Sequence, residues 1–584
     1  METSESVPIE FEGEVLQARR GETLAAALVA HGIQRFRTTP REQPRGMFCG
    51  MGVCQDCLVE VDGVPNQRAC MTKISRPLSV RMGSQRAPIA IHAQARDVHG
   101  EQASCARESA PVIEVRRPQV LVIGAGPGGI AAALEAARAG ASVTVLDERS
   151  LPGGQYFKQP GVATGAPGVP GPDAQHARGA RLIAEARSAG VQIVNDALVW
   201  GAFAPREFVA VEKGRSVRYL PEIAVVATGA YERGWQVPGW TLPGVMTTGA
   251  AQTLWRTSRR VPGKRVLIAG NGPLNLQLAA ELTEGGAQVL AVVEAARAPA
   301  ARDWRTLLDM GRCAPDLIAE GLRYRRIARA GGARLLYGQW LDAVTAGPEG
   351  LVATLAGGAN DALDGHKERQ EHKERFVADA VCLGYGFEPA NELLRALGCA
   401  HEYDAARRQL VTQCDAHGLT SMPGVYALGD CTGLGGARAA LAQGALTGMA
   451  VAAALGYGVS ARAKAEAARA LGKARQFQAA LWTLYASPLA RPEAPCGDTL
   501  ICRCEEVSFA TLQAALDEGL TTVGAIKRRT RIGMGRCQGR YCAPVLDEIV
   551  SARAGRERDE LSGFAPRVPV KPVTIAELAG VPPT

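Results

Sequence analysis

The stretch "PQVLVIGAGPGGIAAALEAARAGASVTVLDER", residues 118–149, restricts the fold more than any other part of the chain. A short apolar run leads into Gly124, Gly126 and Gly129 in the spacing G-x-G-x-x-G. An alanine-rich helical stretch follows, then a second apolar run ending at Asp147. Each glycine answers a steric demand. The first makes the turn, the second lets backbone approach a pyrophosphate at the helix start, and the third lets the helix lie close to the strand. The pattern predicts a βαβ unit in a parallel sheet. Asp147, with Glu148 as the next candidate, is placed to meet ribose hydroxyls; a strand-end acid facing solvent is the alternative.

Three later segments extend this reading. "LPGGQ" (151–155) follows the second strand and contributes Gly154 and Gln155. "AVVATGA" (224–230) is a strand running into a small-residue turn at Thr228 and Gly229. "TSMPGVYALGDCTG" (420–433) ends a strand at Gly429-Asp430, before an Ala/Gly-rich helix. Together they resemble the two-dinucleotide-binding-domain flavoproteins, the group containing glutathione reductase and thioredoxin reductase. The resemblance covers 119 to about 458. It implies FAD held by Gly124, Gly126, Gly129, Asp147, Glu148, Gly154, Gln155, Thr228 and Gly229, with Asp430 on the ribityl chain. No C-x4-C or C-x2-C redox pair follows the first glycine motif within the flavin-type domain, so this flavin is not expected to reduce a protein disulfide.

A second βαβ pattern, "GKRVLIAGNGPLNLQLAAELTEGGAQVLAVVE" (263–294), is nested inside the first domain. Gly270 and Gly272 keep two glycines, but Asn275 stands at the third position. Asparagine does not allow the close helix–strand packing of glycine, so the helix is expected to move out. Glu294, ending the next strand, favours NAD over NADP. Two readings remain: a working NAD(H) site, or a relic fold that binds a nucleotide without turnover or none. The run "HKERQEHKER" (366–375) reads as a solvated loop.

Eight of the 15 cysteines form two groups. Cys49, Cys54, Cys57 and Cys70 give C-x4-C-x2-C-x12-C, the plant-type [2Fe–2S] spacing. Structural zinc more often uses two C-x2-C knuckles; zinc and a disulfide remain as alternatives. Gly50 and Gly52 permit positive φ in the loop. Two short strands and a helix from Thr23 precede the loop, and the strand "LVEV" follows it, the order of a β-grasp ferredoxin. Near the other end, Cys502-x-Cys504 is followed by Cys537-x4-Cys542, with the helical patterns "FATLQAALDEG" and "TVGAIKRRT" between. This resembles the bacterioferritin-associated ferredoxin-like module over about 498–549, and implies a second [2Fe–2S] cluster; zinc is the alternative. Lys527, Arg528, Arg529, Arg531, Arg536 and Arg540 either stabilise its negative charge or form a solvated or partner-facing patch. Cys105, Cys313, Cys382, Cys399, Cys414, Cys431 and Cys496 read as small core or loop residues.

At 584 residues the chain needs several cores. The net charge of +8 is spread along its length, which argues against nucleic acid. "METSESVPIEFEGE" is not a secretory signal. The mildly apolar run 440–459 suits a buried helix better than a membrane span. A cytoplasmic protein without a transmembrane segment is expected, with membrane association through a complex left open. The fold class is multidomain α/β. A β-grasp ferredoxin spans 1–100, and a polar linker spans 101–118. An FAD Rossmann domain takes 119–258 and 377–460 around a nested Rossmann-like domain at 259–376. A helical linker covers 461–497, a small helical [2Fe–2S] domain 498–552, and a tail 553–584. This order resembles a fusion of the A and B subunits of hydrogen cyanide synthase, and equally the α-type subunits of opine oxidases and of proline or hydroxyproline dehydrogenases. The resemblance implies a partner flavoprotein of the D-amino-acid-oxidase type that oxidises a C–N bond, while this chain passes electrons to an acceptor. A self-contained NADH:acceptor oxidoreductase is the second reading. An iron–sulfur scaffold or regulatory protein with a structural flavin is the third. No residue stands out as a catalytic acid or base.

Overall fold

The computed structural model describes residues 6–83, 113–163, 171–357, 374–486 and 497–579. In the first segment, Ser6–Phe11 and Glu14–Arg19 form a hairpin, and Ser6–Phe11 pairs in parallel with Leu78–Met82. Leu58–Val61 and Val64–Arg68 complete the five-stranded sheet. Val7, Ile9 and Phe11 alternate inward against the helix Leu24–Ala30. That helix starts where Thr23 accepts the N–H of Ala26 on its side chain, satisfying one orphan donor. Hairpin, helix and parallel return strand make a β-grasp.

The second core is a parallel sheet in the order Gln192–Val194, Val143–Leu146, Val120–Ile123, Ile223–Val226, Val425–Ala427. The helix Pro127–Arg138 packs on it and is crossed by the helix Gly436–Ala454. The crossing needs small residues: a Cβ on Gly444 would lie 2.2 Å from the carbonyl oxygen of Gly128. The run at 440–459 is therefore largely a helix set against this core. Among the described residues no helix is long and apolar enough to cross a membrane.

The nested unit has its own parallel sheet, ordered Val245–Thr247, Ala380–Gly384, Arg265–Gly270, Gln288–Glu294, Arg334–Tyr337. At the C-terminal end, the hairpin Leu500–Cys502 with Val507–Ser508 and the helices Phe509–Asp517, Val523–Thr530 and Ala543–Ala554 form a small module. The helix Ala461–Leu484 precedes it.

Two expectations need correction. Within the expected linker at 101–118, Glu114–Arg116 is a strand that pairs in parallel with Arg215–Tyr219. Three residues are too few to show an alternation, so only the sheet edge reveals it. The expected tail is packed along much of its length. Val570 N–H donates to Trp200 O (2.8 Å), Arg395 Nη2 to Phe564 O (2.7 Å) and Ser216 Oγ to Glu577 O (2.6 Å), tying it to the flavin-type domain. Cys382, Cys399 and Cys431 are buried, and Cys313 and Cys414 partly so. Cys105, Cys496 and most of the charged run at 366–375 lie outside the described residues.

Candidate functional site

The first glycine loop separates glycines that the protein itself requires from one that it does not. Gly124 has φ +111°, and a Cβ there would lie 2.4 Å from Ala227 O. A Cβ on Gly129 would lie 1.9 Å from Gly124 O. Gly126, in contrast, has an ordinary φ of −76°, and its Cβ would meet nothing nearer than Gly154 Cα at 4.0 Å. Neither backbone nor packing demands glycine there. The open space at the N-terminus of Pro127–Arg138 fits a phosphate approaching the backbone. Asp147 is buried at the strand end, where its two oxygens accept the N–H groups of Ala125 (2.7 Å) and Arg149 (2.8 Å). Burial pushes its carboxyl up to about 6 despite these donors. Glu148 is ion-paired to Lys571 from the C-terminal segment.

The remaining predicted residues gather on the same side of the sheet. Gly154 lies against Gly126, and Gln155 follows in the same turn. Thr228 Oγ1 donates to Ala390 O (2.6 Å), and Gly229 has φ +74° with nothing within 4 Å of its would-be Cβ. Asp430 Oδ1 accepts from Gly435 (2.9 Å) and Gly436 (2.8 Å), which caps the turn before Gly436–Ala454. These residues could hold the pyrophosphate and sugar of a dinucleotide.

The nested loop is filled differently. Asn275 is buried, with its Oδ1 accepting from Thr248 Oγ1 (3.0 Å) and its Nδ2 donating to Gly384 O (3.3 Å). Room comes from Gly384, where a Cβ would lie 2.0 Å from Asn275 Oδ1. Besides the expected retreat of the helix, which these contacts do not measure, a glycine on the neighbouring strand makes space for the side chain. Glu294 accepts from Gly272 N–H (3.0 Å) and Ala296 N–H (3.2 Å), and burial pushes it up to about 8. Asn271 Nδ2 donates to Tyr485 O (3.0 Å), so the end of the helix Ala461–Leu484 closes on this loop.

Both cysteine sets are gathered in the fold. Burial opposes a thiolate at Cys49. The Cys54 thiol and the N–H groups of Met51, Val53 and Cys54 outweigh it and bring Cys49 down to about 6. Cys57 and Cys70 form the second hydrogen-bonded pair. In the other set Cys502 pairs with Cys542, which brings Cys502 down to about 7 against burial, and Cys504 pairs with Cys537. Two thiol pairs per set fit the two-thiolates-per-iron ligation of a [2Fe–2S] cluster. Gly50 and Gly52 have φ +62° and +80°. A Cβ on Gly50 would lie 2.8 Å from Ala250 Cα, so the loop presses on the helix Thr248–Ser258.

The two cysteine loops touch. Phe48, next to Cys49, meets Tyr541, next to Cys542, at 5.2 Å between ring centroids, and Trp240 at 5.7 Å. Trp240 Nε1 donates to Leu500 O (2.8 Å), and Gln236 Nε2 to Tyr541 O (2.8 Å). Tyr541 also lies 6.1 Å from Tyr231, two residues beyond Gly229. The flavin-type domain thereby contacts both loops.

Of the basic residues singled out, Arg529 pairs with Glu518, Arg531 with Glu505 and Arg540 with Glu392, and Lys527 lies over Phe564. Arg536 Nη1 donates to Asn66 Oδ1 (2.9 Å) across the seam. Sequence reasoning missed the cations buried at that seam, Arg37, Arg45 and Arg503; the C-R-C order of 502–504 was the available signal. It also missed Lys158, pushed down to about 7 by burial and neighbouring arginines, and Glu232, pushed up to about 7 by burial. Nothing local marks either one.

Comparison with known proteins divides the chain the same way. Residues 4–85 match the family described as 2Fe-2S iron-sulfur cluster binding domain. Residues 118–306 and 353–446 match pyridine nucleotide-disulphide oxidoreductase, and residues 500–552 match the BFD-like [2Fe-2S] binding domain. The opine oxidase A subunit of Agrobacterium tumefaciens (strain Ach5) is 34% identical over 483 residues, 80% of this chain and 92% of that protein. The HcnB subunit of hydrogen cyanide synthase from Pseudomonas aeruginosa is 30% identical over 465 residues, 78% and 96% of the two chains. The crystal structure of L-proline dehydrogenase from P. horikoshii shares the fold at a TM-score of 0.69 and 20% identity, covering 99% of this chain and 98% of that one.

Proposed function

The chain belongs to the family of the opine oxidase A subunit, and from that premise we propose that it is the electron-transfer component of an amino- or imino-acid dehydrogenase complex. It is a flavin oxidoreductase with two 2Fe-2S domains. The finer reading is that FAD sits on the Gly124–Gly129 loop with Asp147, Thr228, Gly229 and Asp430. One [2Fe–2S] cluster sits on Cys49, Cys54, Cys57 and Cys70, and another on Cys502, Cys504, Cys537 and Cys542. A bound flavin exchanges electrons in pairs or singly, and each cluster carries one.

The observation that carries this reading is the seam. Phe48 and Tyr541 bring the two cysteine loops into contact, and Tyr541 reaches the Tyr231 side of the flavin-type domain. Such an arrangement suits a relay, with amine oxidation left to a partner flavoprotein of the D-amino-acid-oxidase type. The relatives' names, as subunits of opine oxidase and hydrogen cyanide synthase, support a partner. Glu294 favours the alternative of an NADH:acceptor oxidoreductase, but Asn275 fills the third glycine position and Asn271 is tied to Tyr485.

The test is anaerobic purification followed by mixing with the partner flavoprotein and candidate amines. About four irons and four sulfides per chain are expected, and Cys54→Ser should remove about half of them. Amine-dependent dye reduction should need both proteins. Stoichiometric zinc would overturn the cluster assignment. Flavin bleaching within milliseconds at micromolar NADH, without a partner, would overturn the relay in favour of the NADH reading.

A further inference from the structure

The seam between the cysteine loops holds five buried charges: Arg37, Arg45, Asp56, Arg503 and Glu506, each 4% exposed or less. Arg37 Nη2 donates to Asp56 Oδ1 (2.8 Å), Arg45 Nη2 to Glu506 Oε1 (3.1 Å), and Arg503 is ion-paired to the other oxygen of Asp56. Thr39 Oγ1 adds a hydrogen bond to Glu506 (2.8 Å). Three guanidinium groups against two carboxylates leave one positive charge. Three donors, Arg37 Nη1, Arg45 Nε and Arg503 Nη1, are buried without an acceptor among the described residues. A buried cation with idle donors is costly unless an anion faces it.

Arg503 is central to this group. It lies in sequence between Cys502 and Cys504. Its guanidinium carbon stands 3.6 Å from the Phe48 ring centroid and 4.7 Å from that of Trp240. Phe48 precedes Cys49, and Asp56 precedes Cys57. Through its pair with Asp56 and its stack on Phe48, the Arg503 guanidinium touches a neighbour of Cys57 and a neighbour of Cys49 while standing between Cys502 and Cys504. Stacking on two aromatic faces and a charge-assisted pair fix the planar group in place.

We propose that Arg503 is a positioning residue shared by the two [2Fe–2S] sites, a fixed positive charge between them that raises the reduction potential of both. The proposal rests on the two-cluster reading above. Two clusters with four thiolates each supply the negative charge that the seam lacks. Each becomes more negative by one on one-electron reduction, so a nearby fixed cation favours the reduced state. A single charge acting on both clusters keeps their potentials moving together, which suits a relay.

The test is a mediated anaerobic dithionite titration of the full holoprotein, following both clusters by EPR and visible circular dichroism. In Arg503→Gln both midpoints should fall, by at least tenfold in the one-electron equilibrium constant, which is about 59 mV. Arg503→Lys, which keeps the charge, should restore most of the shift. Glu506→Gln removes an anion from the same group and should raise both midpoints; it decides the matter if Arg503→Gln does not load iron. Midpoints that stay put, or a shift confined to one cluster, in a variant that retains four irons overturns the role of Arg503. Wild-type protein with only two irons overturns the two-cluster reading instead, a separate result from the same preparation.

Discussion

The two glycine loops begin alike, an apolar strand running into Gly-x-Gly before a helix that opens with proline, yet they are built around different contents. At Gly126 the backbone is ordinary and the space beyond it is open, so nothing in the protein's own packing accounts for glycine there. At the corresponding Gly272 the backbone has φ +129°, which accounts for glycine without any ligand. The third positions diverge further. Gly129 lets its helix touch the strand, whereas Asn275 fills the gap and bonds to Thr248 and Gly384. Both strand-end acids turn back onto their own loops, but only Glu294 has the end of another helix, at Tyr485, tied beside it. A shared fingerprint therefore marks a shared fold. Whether a ligand is needed is read from the glycines the fold leaves unexplained.

Substitution at Gly126 should have the greatest consequence for this contrast. Gly126→Val should fold, since a Cβ there meets nothing nearer than Gly154 Cα at 4.0 Å, but should weaken FAD binding by about 100-fold, the equivalent of about 3 kcal/mol of overpacking. Flavin absorbance after gel filtration, with a fluorescence titration of the apoprotein, measures it. Full retention of flavin would show that the open space holds something else. Gly272→Ala probes the other loop. It should lower stability by about 1–3 kcal/mol through backbone strain, seen as a lower urea midpoint, while flavin content stays unchanged.

A weaker effect is expected at Glu294. Its folded carboxyl is raised to about 8 by burial, above the ordinary 4.5. Below that ordinary value the group is protonated in both states. As pH climbs toward 8 the unfolded chain ionises first and the folded state loses relative stability. Glu294→Gln carries no such penalty. Between pH 5 and pH 9 the balance should move toward the variant by about 1 kcal/mol, taken low because an ionised side chain can turn toward water. Urea denaturation at the two pH values tests it. A gap that does not change with pH would mean that Glu294 is ionised in the folded protein, as a ribose-binding acid would be.

Much of the candidate site was legible because its chemistry is written in short spacings. C-x4-C-x2-C and C-x-C with C-x4-C each place thiols within one loop or one small module, and the structure pairs them two and two. Thr23 before an apolar stretch marked a helix start that the fold uses. The seam was not legible. Arg37 and Arg503 share Asp56 across more than four hundred residues, and apart from the place of Arg503 between two cysteines no local pattern marks them off from surface arginines. The basic run near Cys537 is dense in sequence, and the fold divides it: Arg529 and Arg531 pair with Glu518 and Glu505 at the surface, whereas Arg540 is buried against Glu392 and donates to Cys537 O.

The modules could be read from the linear chain: a β-grasp around one cysteine set, two βαβ units with one nested in the other, and a small helical module around the second set. Turns, caps and metal-ligand spacings act over a few residues, so each survives in the linear pattern. How the modules meet belongs to the folded molecule alone. Folding brought Phe48 against Tyr541, set the charge of Arg503 between them, wrapped the segment after 553 back to join Lys571 to Glu148, and closed Tyr485 on the nested loop. Those contacts depend on the burial of one domain's surface by another, and the energy of a buried charge is set by every neighbour it loses water to. No window of sequence contains that information.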